Sequence, residues 1–495
     1  MLANDLKYLL FFFILLIALI GAAEVLRNWL RGSQEFTRKF VHMATGALIA
    51  MSAYFIQNKW PMVVLGLVFA LVNYLAIEHG WLKGMHHTHR RTYGTVFYPL
   101  SFVVLVLLLW GHHRLVFVCA ILIMALADAM AAIVGENLKQ PRMFHVGFDR
   151  KSIQGSGTMF LVSMLIVFIA LILANPQANV LVPLWTAVVV ALFATACEMV
   201  SYQGSDNLTV PLGSALVLHY MLSHSPHDGM IFTLGMLLAL VVALLSYRAQ
   251  FLTISGTVAV FLLGSVIFGI GRWTFSVPIM TFFILSSLLS KMGKNRKRRY
   301  AGLIEKSGAR DLWQVAANGG LAGLILLFWY VWPDPVWFLL FVASLAAVTA
   351  DTWSTEIGML SRHQPRFILN FRPVPPGTSG GITLLGTSGA LLGSAILAGV
   401  STAFHPGGVE GVIGWREFII ILFSGLFASF FDSLLGATVQ AKFHCVVCGK
   451  ETEKTHHCHR ASEYHSGYRW INNDVVNILA ALFGVAVVWL ANKWI

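Results

Sequence analysis

Ala127-Asp128-Ala129-Met130-Ala131-Ala132-Ile133-Val134-Gly135 returns later in the chain as Ala350-Asp351-Thr352-Trp353-Ser354-Thr355-Glu356-Ile357-Gly358. In both stretches an Asp precedes a Gly by seven positions, two helical turns, so the pair shares one helix face. Each stretch closes an apolar run of the length that crosses a bilayer core. A carboxylate at span level costs roughly 2.5–3.5 kcal/mol on insertion scales and is a functional candidate by default. The same costly residue, set twice in the same context, marks a repeated site.

The flanking sequence repeats as well. A glycine-rich loop follows each stretch: Arg150-Lys151-Ser152-Ile153-Gln154-Gly155-Ser156-Gly157 in one half, Pro375-Pro376-Gly377-Thr378-Ser379-Gly380-Gly381 in the other. Next comes a helix ending in an acid, Glu198 or Asp432, and then an amide–acid pair, Asp206-Asn207 or Asn473-Asp474. Upstream, Arg38-Lys39 with His42 is loosely matched by Arg310-Asp311 with Gln314. An ordered direct repeat implies two related, parallel modules, residues 1–227 and 228–495. The first has an extra helix pair before Asp128; the second has about 34 extra residues between its last two acids.

Composition sets the medium. Of 495 residues, 57% are hydrophobic and only 11% charged, with a mean hydropathy of +0.73. A soluble domain carries roughly a quarter charged residues, so a soluble enzyme and a disordered chain are both excluded. Five cysteines are too few for a disulfide scaffold. The fold expected is all-α and polytopic, with about sixteen spans centred near residues 17, 48, 69, 104, 125, 166, 189, 215, 238, 260, 282, 322, 343, 390, 427 and 482. The runs near 104 and 343 are the shortest.

With the N-terminus outside, one set of loops holds 28 of the 34 Lys and Arg residues and the other holds six. By the positive-inside rule the first set is cytoplasmic. Orientation and anionic lipid then account for the net charge of +12, Arg296-Lys297-Arg298-Arg299 included, without nucleic acid. The apolar run from Tyr8 lacks a basic leader and a cleavage site, so it is expected to stay as a helix. The expected location is a bacterial-type cytoplasmic membrane with both termini outside; the oligomeric state stays open.

Asp128, Glu198, Asp206, Asp351, Glu356, Asp432 and Asp474 all fall at cytoplasmic helix ends in this topology. That pattern suits phosphoryl transfer. A nucleoside triphosphate needs Mg²⁺, hence two or three converging carboxylates. It also needs backbone N–H donors from a Gly/Ser loop at a helix N-terminus, plus Lys or Arg. Each half supplies the set.

At these residues the sequence resembles two families in one chain. Residues 1 to about 225 resemble the phytol kinase and dolichol kinase family. The resemblance rests on Thr37-Arg38-Lys39-Phe40-Val41-His42 with Gly46, Arg91-Thr92-Tyr93-Gly94-Thr95-Val96-Phe97-Tyr98-Pro99, Ala127-Asp128-Ala129, Lys151-Ser152-Ile153-Gln154-Gly155-Ser156, and Glu198 with Asp206-Asn207 and Pro211. Ala127 and Gln154 stand where that family usually has Gly and an acid. Residues from about 228 to 495 resemble the phytyl-phosphate kinase family, which includes transmembrane protein nineteen. Its carriers are Trp313-Gln314-Val315 with Ala317-Asn318-Gly319-Gly320, Ala350-Asp351-Thr352-Trp353 with Glu356-Ile357-Gly358, Val374 to Gly381, Asp432-Ser433-Leu434-Leu435-Gly436-Ala437 and Asn473-Asp474-Val475-Val476-Asn477.

The resemblance implies sequential chemistry: an isoprenoid alcohol (phytol, farnesol, geranylgeraniol or a polyprenol) to its monophosphate, then to the diphosphate, with CTP as donor. In the first module it assigns Mg²⁺ to Asp128, Glu198 and Asp206, with one of them a candidate base. It assigns phosphate to Lys151, Ser152, Gly155 and Ser156, aided by Arg38 and Lys39, with Asn207 orienting. His42 is a base, a phosphate ligand or a hydrogen-bonded helix-end residue. In the second module Asp351, Asp432 and Asp474 take the metal, with Glu356, Asn318, Asn473 and Asn477 as helpers. Gly377, Thr378, Ser379, Gly380 and Gly381 form the phosphate loop, and Arg310, Arg366 and Arg372 are candidates for the acceptor phosphate. The rival readings are cytidylyl transfer of the CDP-diacylglycerol synthase kind and a lipid transporter or flippase. His86, His87 and His89 read as a solvated basic loop.

The insertion at 441–470 carries Cys445-Val446-Val447-Cys448 and then His456-His457-Cys458-His459. Cys-x-x-Cys with two more soft ligands suits tetrahedral, structural zinc. The set favoured is Cys445, Cys448, His456 and Cys458, with His457 or His459 as substitutes. Cys119 and Cys197 lie in apolar helices as packing residues.

Overall fold

A computed structural model describes residues 2–30, 34–79, 92–138, 140–146, 149–292, 308–403 and 414–494. Among these, each of the sixteen expected apolar runs forms one helix. They are α1 (Leu2–Leu30), α2 (Gln34–Phe55), α3 (Lys59–Glu78), α4 (Gly94–Leu109), α5 (Arg114–Asn137), α6 (Ile153–Ala174), α7 (Leu181–Met199) and α8 (Asp206–Ser223). The others are α9 (Pro226–Arg248), α10 (Ile254–Ile270), α11 (Arg272–Lys291), α12 (Leu312–Val331), α13 (Pro335–Gly358), α14 (Leu384–Ala403), α15 (Trp415–Thr438) and α16 (Asn473–Trp494). Helices dominate because lipid offers backbone groups no hydrogen-bond partner.

Twelve of the sixteen are long and apolar enough to cross a membrane. The other four fall short for physical reasons. α4 and α10 have 16 and 17 residues, and 17 residues rise only about 25 Å. α2 and α8 are long enough but diluted by polar residues, Arg38, Lys39 and His42 in one and Asp206, Asn207 and His219 in the other. The run near 343, short by sequence, is a full 24-residue helix.

The chain divides into two compact units, Met1–Met230 and Ile231–Ile495. In the first, α5 is the inner helix, with Phe117, Ile121, Ile123 and Met124 fully buried and α2, α4, α6 and α8 packed around it. In the second, α13 holds that place against α11, α12, α14, α15 and α16. Its buried Ala343, Ser344, Ala346 and Ala347 let backbones approach closely, the main source of attraction between helices in lipid.

The remaining structure is small and antiparallel. Hairpin β1–β2 (Met143–Val146, Asp149–Ser152) leads into α6, and β3–β4 (Arg366–Phe367, Gly381–Ile382) leads into α14. Between α15 and α16 lie a sheet of order β6-β5-β9 (Glu451–Thr452, Lys442–His444, Glu463–Ser466) and hairpin β7–β8 (His456–His457, Arg460–Ala461).

Candidate functional site

In the first unit the site begins with a fault in α5. Residues Ile123–Ala127 form a π-helical turn, in which the Asp128 N–H reaches back to the Ile123 carbonyl. An α turn would have bonded it to Met124 instead. The Met124 carbonyl accepts from His42 Nε2 at 3.4 Å. His42 thus caps the π turn. Nothing in the hydrophobic pattern announces such a turn, although π turns cluster at functional sites.

Two helical turns beyond Asp128, Gly135 receives the start of α6. Ser152 ends β2 and caps α6, its Oγ accepting from the Gly155 N–H at 3.1 Å. A Cβ on Gly135 would lie 2.6 Å from that Oγ. This contact is why the Asp–Gly spacing matters: it brings the glycine loop beneath the acid.

Lys151, one residue before the cap, donates to Glu198 Oε1 at 2.7 Å and lies 3.7 Å from Asp206 Oδ2. Ser156 Oγ donates to the other Glu198 oxygen at 3.4 Å. Asp206 also accepts from Ser201 Oγ at 3.2 Å and from Asn207 Nδ2 at 3.0 Å. Asp128 feels, besides its own burial, Asp206, Lys151, Glu198 and Lys39. Lys39 is buried and pairs with Glu136 at 2.5 Å, a partner the sequence reading did not single out. Burial alone would lower the pKa of Lys151, but Glu198 and Asp206 outweigh it and raise it. The expected set therefore converges: Asp128, Glu198, Asp206, Lys151, Ser152, Gly155, Ser156, Lys39 and Asn207. The side chain of Arg38, and residues His86, His87, His89 and Arg296 to Arg299, lie outside the described parts.

In the second unit, the carboxyl groups of Asp351 (α13) and Asp432 (α15) lie close enough to act on one another, and the charge of Glu453 reaches both. The Asn477 amide, placed with its nitrogen toward the acid, reaches Asp432 Oδ2 at 3.3 Å; turned over, the same nitrogen donates to Asn318 Oδ1 at 3.3 Å. Asp474 is buried in the first turn of α16, three residues before Asn477, and Asn473 opens that helix.

The glycine loop seats on α15 beside Asp432. Gly380 has φ +84°, and a Cβ there would lie 2.6 Å from Ala437 Cβ and 3.0 Å from the Ser433 carbonyl. Gly377 is also left-handed, the Thr378 hydroxyl donates to the Pro375 carbonyl at 2.8 Å, and Gly381 N–H donates to the Thr378 carbonyl at 3.0 Å. Ser379 Oγ donates to Glu453 at 2.6 Å. Arg366 and Arg372 are exposed on the β3–β4 loop, Arg366 donating to the Phe371 carbonyl.

The closer counterpart of Ser152 and Gly155 lies just past this loop. Thr383 Oγ1 accepts from the Gly386 N–H at 3.0 Å, and Gly358 packs on Thr383 and Gly386 as Gly135 packs on Ser152 and Gly155. Sequence matching by glycine content passed over Thr383-Leu384-Leu385-Gly386.

Arg310, Gln314 and Asn318 are polar members of the lining of an otherwise apolar cavity of about 60 Å³ formed with α9, α10 and α11. The Arg310 backbone is fixed beside α10 by hydrogen bonds to Phe251 and Thr253. Burial lowers the pKa of its guanidinium, and Glu356 opposes that shift.

In the insertion, Cys445, Cys448, His457 and Cys458 bring their ligand atoms within 4.8 Å of one another. His457, not His456, faces the three sulfurs, because neighbours on a strand point to opposite faces; His456 Nδ1 meets Thr455 Oγ1 instead. The Cys448 backbone N–H and then His457 pull the Cys445 thiol down to about 6.

Comparison with known proteins finds a family and several relatives. Residues 237–485 match the family described as integral membrane protein DUF92. Protein PGR of Arabidopsis thaliana is 30% identical over 294 residues, 55% of this chain and 99% of that protein. A phytol kinase of Synechocystis is 33% identical over 201 residues, 40% of this chain and 85% of that protein. Protein VTE6, chloroplastic, of Arabidopsis thaliana is 26% identical over 250 residues, 49% of this chain and 66% of that protein. No solved structure matches.

Proposed function

Since this chain belongs to the DUF92 family of integral membrane proteins, we propose that it is a bifunctional membrane lipid kinase. Its first unit phosphorylates an isoprenoid alcohol, and its second phosphorylates the monophosphate to the diphosphate. The observation that carries the reading is the convergence of Lys151, Glu198, Asp206 and Asp128 over the Ser152-capped end of α6, with an acidic pair and a capped glycine in the second unit. A relative named phytol kinase supports the alcohol as first substrate. CTP is the proposed donor, on the family resemblance.

In the first step the alcohol oxygen bonds to the γ-phosphorus, and the bond from that phosphorus to the bridging oxygen of the β-phosphate breaks. The hydroxyl proton passes to a carboxylate of the Asp128, Glu198 and Asp206 set, and the nucleoside diphosphate leaves. Lys151 and the Ser156 hydroxyl hold Glu198 in place, while Lys151 and the N-terminus of α6 present positive charge to phosphate. In the second step a monophosphate oxygen is the nucleophile. Arg310, beside Gln314 and Asn318, takes the phosphate head of the acceptor.

Mg²⁺ fits both donor sets. Neighbouring carboxylates such as Asp351 and Asp432 repel unless a proton or cation sits with them, and hard oxygen donors suit Mg²⁺. Asp128, Glu198 and Asp206 would hold it in the first unit, and Asp351, Asp432 and Asp474 in the second. Mg²⁺ would neutralise the charge on the triphosphate. Both sites face the cytoplasm, where nucleotide is, and both chain ends lie outside, in a bacterial-type cytoplasmic membrane.

The test is purified protein with CTP labelled at the γ-phosphate, Mg²⁺ and phytol or geranylgeraniol. Labelled lipid mono- and diphosphate with release of CDP are expected. Release of pyrophosphate would replace this reading with cytidylyl transfer.

A further inference from the structure

The insertion between α15 and α16 holds two tight turns that face each other. In the first, Val447 N–H donates to Cys445 Sγ at 3.4 Å, and Gly449, with φ +67°, donates to the Cys445 carbonyl at 2.9 Å. In the second, the two residues joining β7 to β8 are Cys458 and His459, with φ of 51° and 60°. A two-residue hairpin loop with both φ positive favours Asn and Gly, so Cys and His there carry strain that something must hold.

The donor geometry says what holds it. His457 Nδ1 lies 3.5 Å from Cys448 Sγ and 3.3 Å from Cys458 Sγ. Tetrahedral zinc, with Zn–S about 2.3 Å and Zn–N about 2.0–2.1 Å, sets its sulfur and nitrogen ligands about 3.5 Å apart. Cys445, Cys448 and Cys458 are free thiols and form no disulfide.

Glu453 lies between these turns, directly after β6 and before β7. Its carboxylate accepts from Ser379 Oγ at 2.6 Å, the length of a charge-assisted bond. We infer that the insertion is a metal-clipped strap: Cys445, Cys448, His457 and Cys458 hold zinc, and the clip sets Glu453 against Ser379 to brace the glycine loop of the second unit. Glu453 is then a positioning residue. The metal half stands apart from the proposed reaction; the bracing half rests on reading Gly377 to Gly381 as the phosphate loop.

The test uses the purified full chain and two readouts other than turnover. Metal analysis is expected to give about one zinc per chain, lost on Cys448→Ser and on His457→Ala but kept on His456→Ala. Cobalt replacement is expected to give the absorption of a tetrahedral thiolate site. Amide exchange across residues 375–381 is expected to rise about tenfold or more in Glu453→Gln, which keeps its zinc, and equally in chelated wild type. Residues 152–157 serve as the unchanged control. Failure to bind zinc or cobalt would overturn the clip, and unchanged exchange in Glu453→Gln would overturn the bracing. If both readouts behave as expected but the protein never converts a monophosphate, the strap stands and the proposed reaction falls.

Discussion

Lys151 Nζ lies 2.7 Å from Glu198 Oε1, and this one contact ties the strand entering α6 to the buried end of α7. Glu198 is 6% exposed, so removing its partner leaves a carboxylate in low dielectric. Lys151→Met is expected to destabilise the first unit by about 3 kcal/mol and to abolish alcohol phosphorylation. Thermal unfolding in detergent and product analysis check the two effects.

The same contact has a pH signature. The carboxylates raise the Lys151 pKa in the folded protein above its unfolded value. A raised pKa contributes stability that is complete below the unfolded value, about 10.4, and is lost only as pH climbs through the folded one. Lys151 is therefore expected to resist amine acylation at pH 10 in the folded protein and to react once unfolded. Peptide mapping after brief acylation reads this directly.

Gly135 and Gly358 hold equivalent places against Ser152 and Thr383. A Cβ at Gly135 would sit 2.6 Å from Ser152 Oγ, against 3.2 Å from Thr383 Oγ1 at Gly358. Gly135→Ala is expected to cost about 1–3 kcal/mol and to slow the first step at least tenfold. Gly358→Ala is expected to cost less and to touch only the second step. Separate assays with alcohol and with monophosphate distinguish them.

The membrane architecture was legible because lipid makes one demand on every span, and the sixteen apolar runs carry it openly. The acids stood out for a related reason: Asp128, Glu198, Asp351 and Asp432 are costly at span level, which makes them functional candidates. Glu453 escaped notice because an acid in a polar insertion costs nothing in sequence terms; only folding brings it to Ser379. The choice of His457 over His456 turns on strand alternation within a two-residue strand, which spacing cannot resolve. The Thr383 cap was missed because the conspicuous glycines just before it drew the match. The π turn before Asp128 has no composition of its own.

The Asp351–Asp432 pair opposes function to stability. Two neighbouring, half-buried carboxyls each lose water and repel one another, so neutralising one relieves both. Asp432→Asn is expected to leave stability unchanged or raise it by about 1–3 kcal/mol, while weakening Mn²⁺ binding at least tenfold. Electron paramagnetic resonance titration with Mn²⁺, beside a thermal melt, tests both signs at once.

The most direct test of two separate phosphotransfer sites is a pair of single variants assayed for both steps, with γ-labelled CTP, Mg²⁺ and either phytol or its monophosphate. Asp128→Asn is expected to lose phosphorylation of the alcohol while still converting the monophosphate, and Asp351→Asn to accumulate the monophosphate. Loss of both steps in both variants would contradict it.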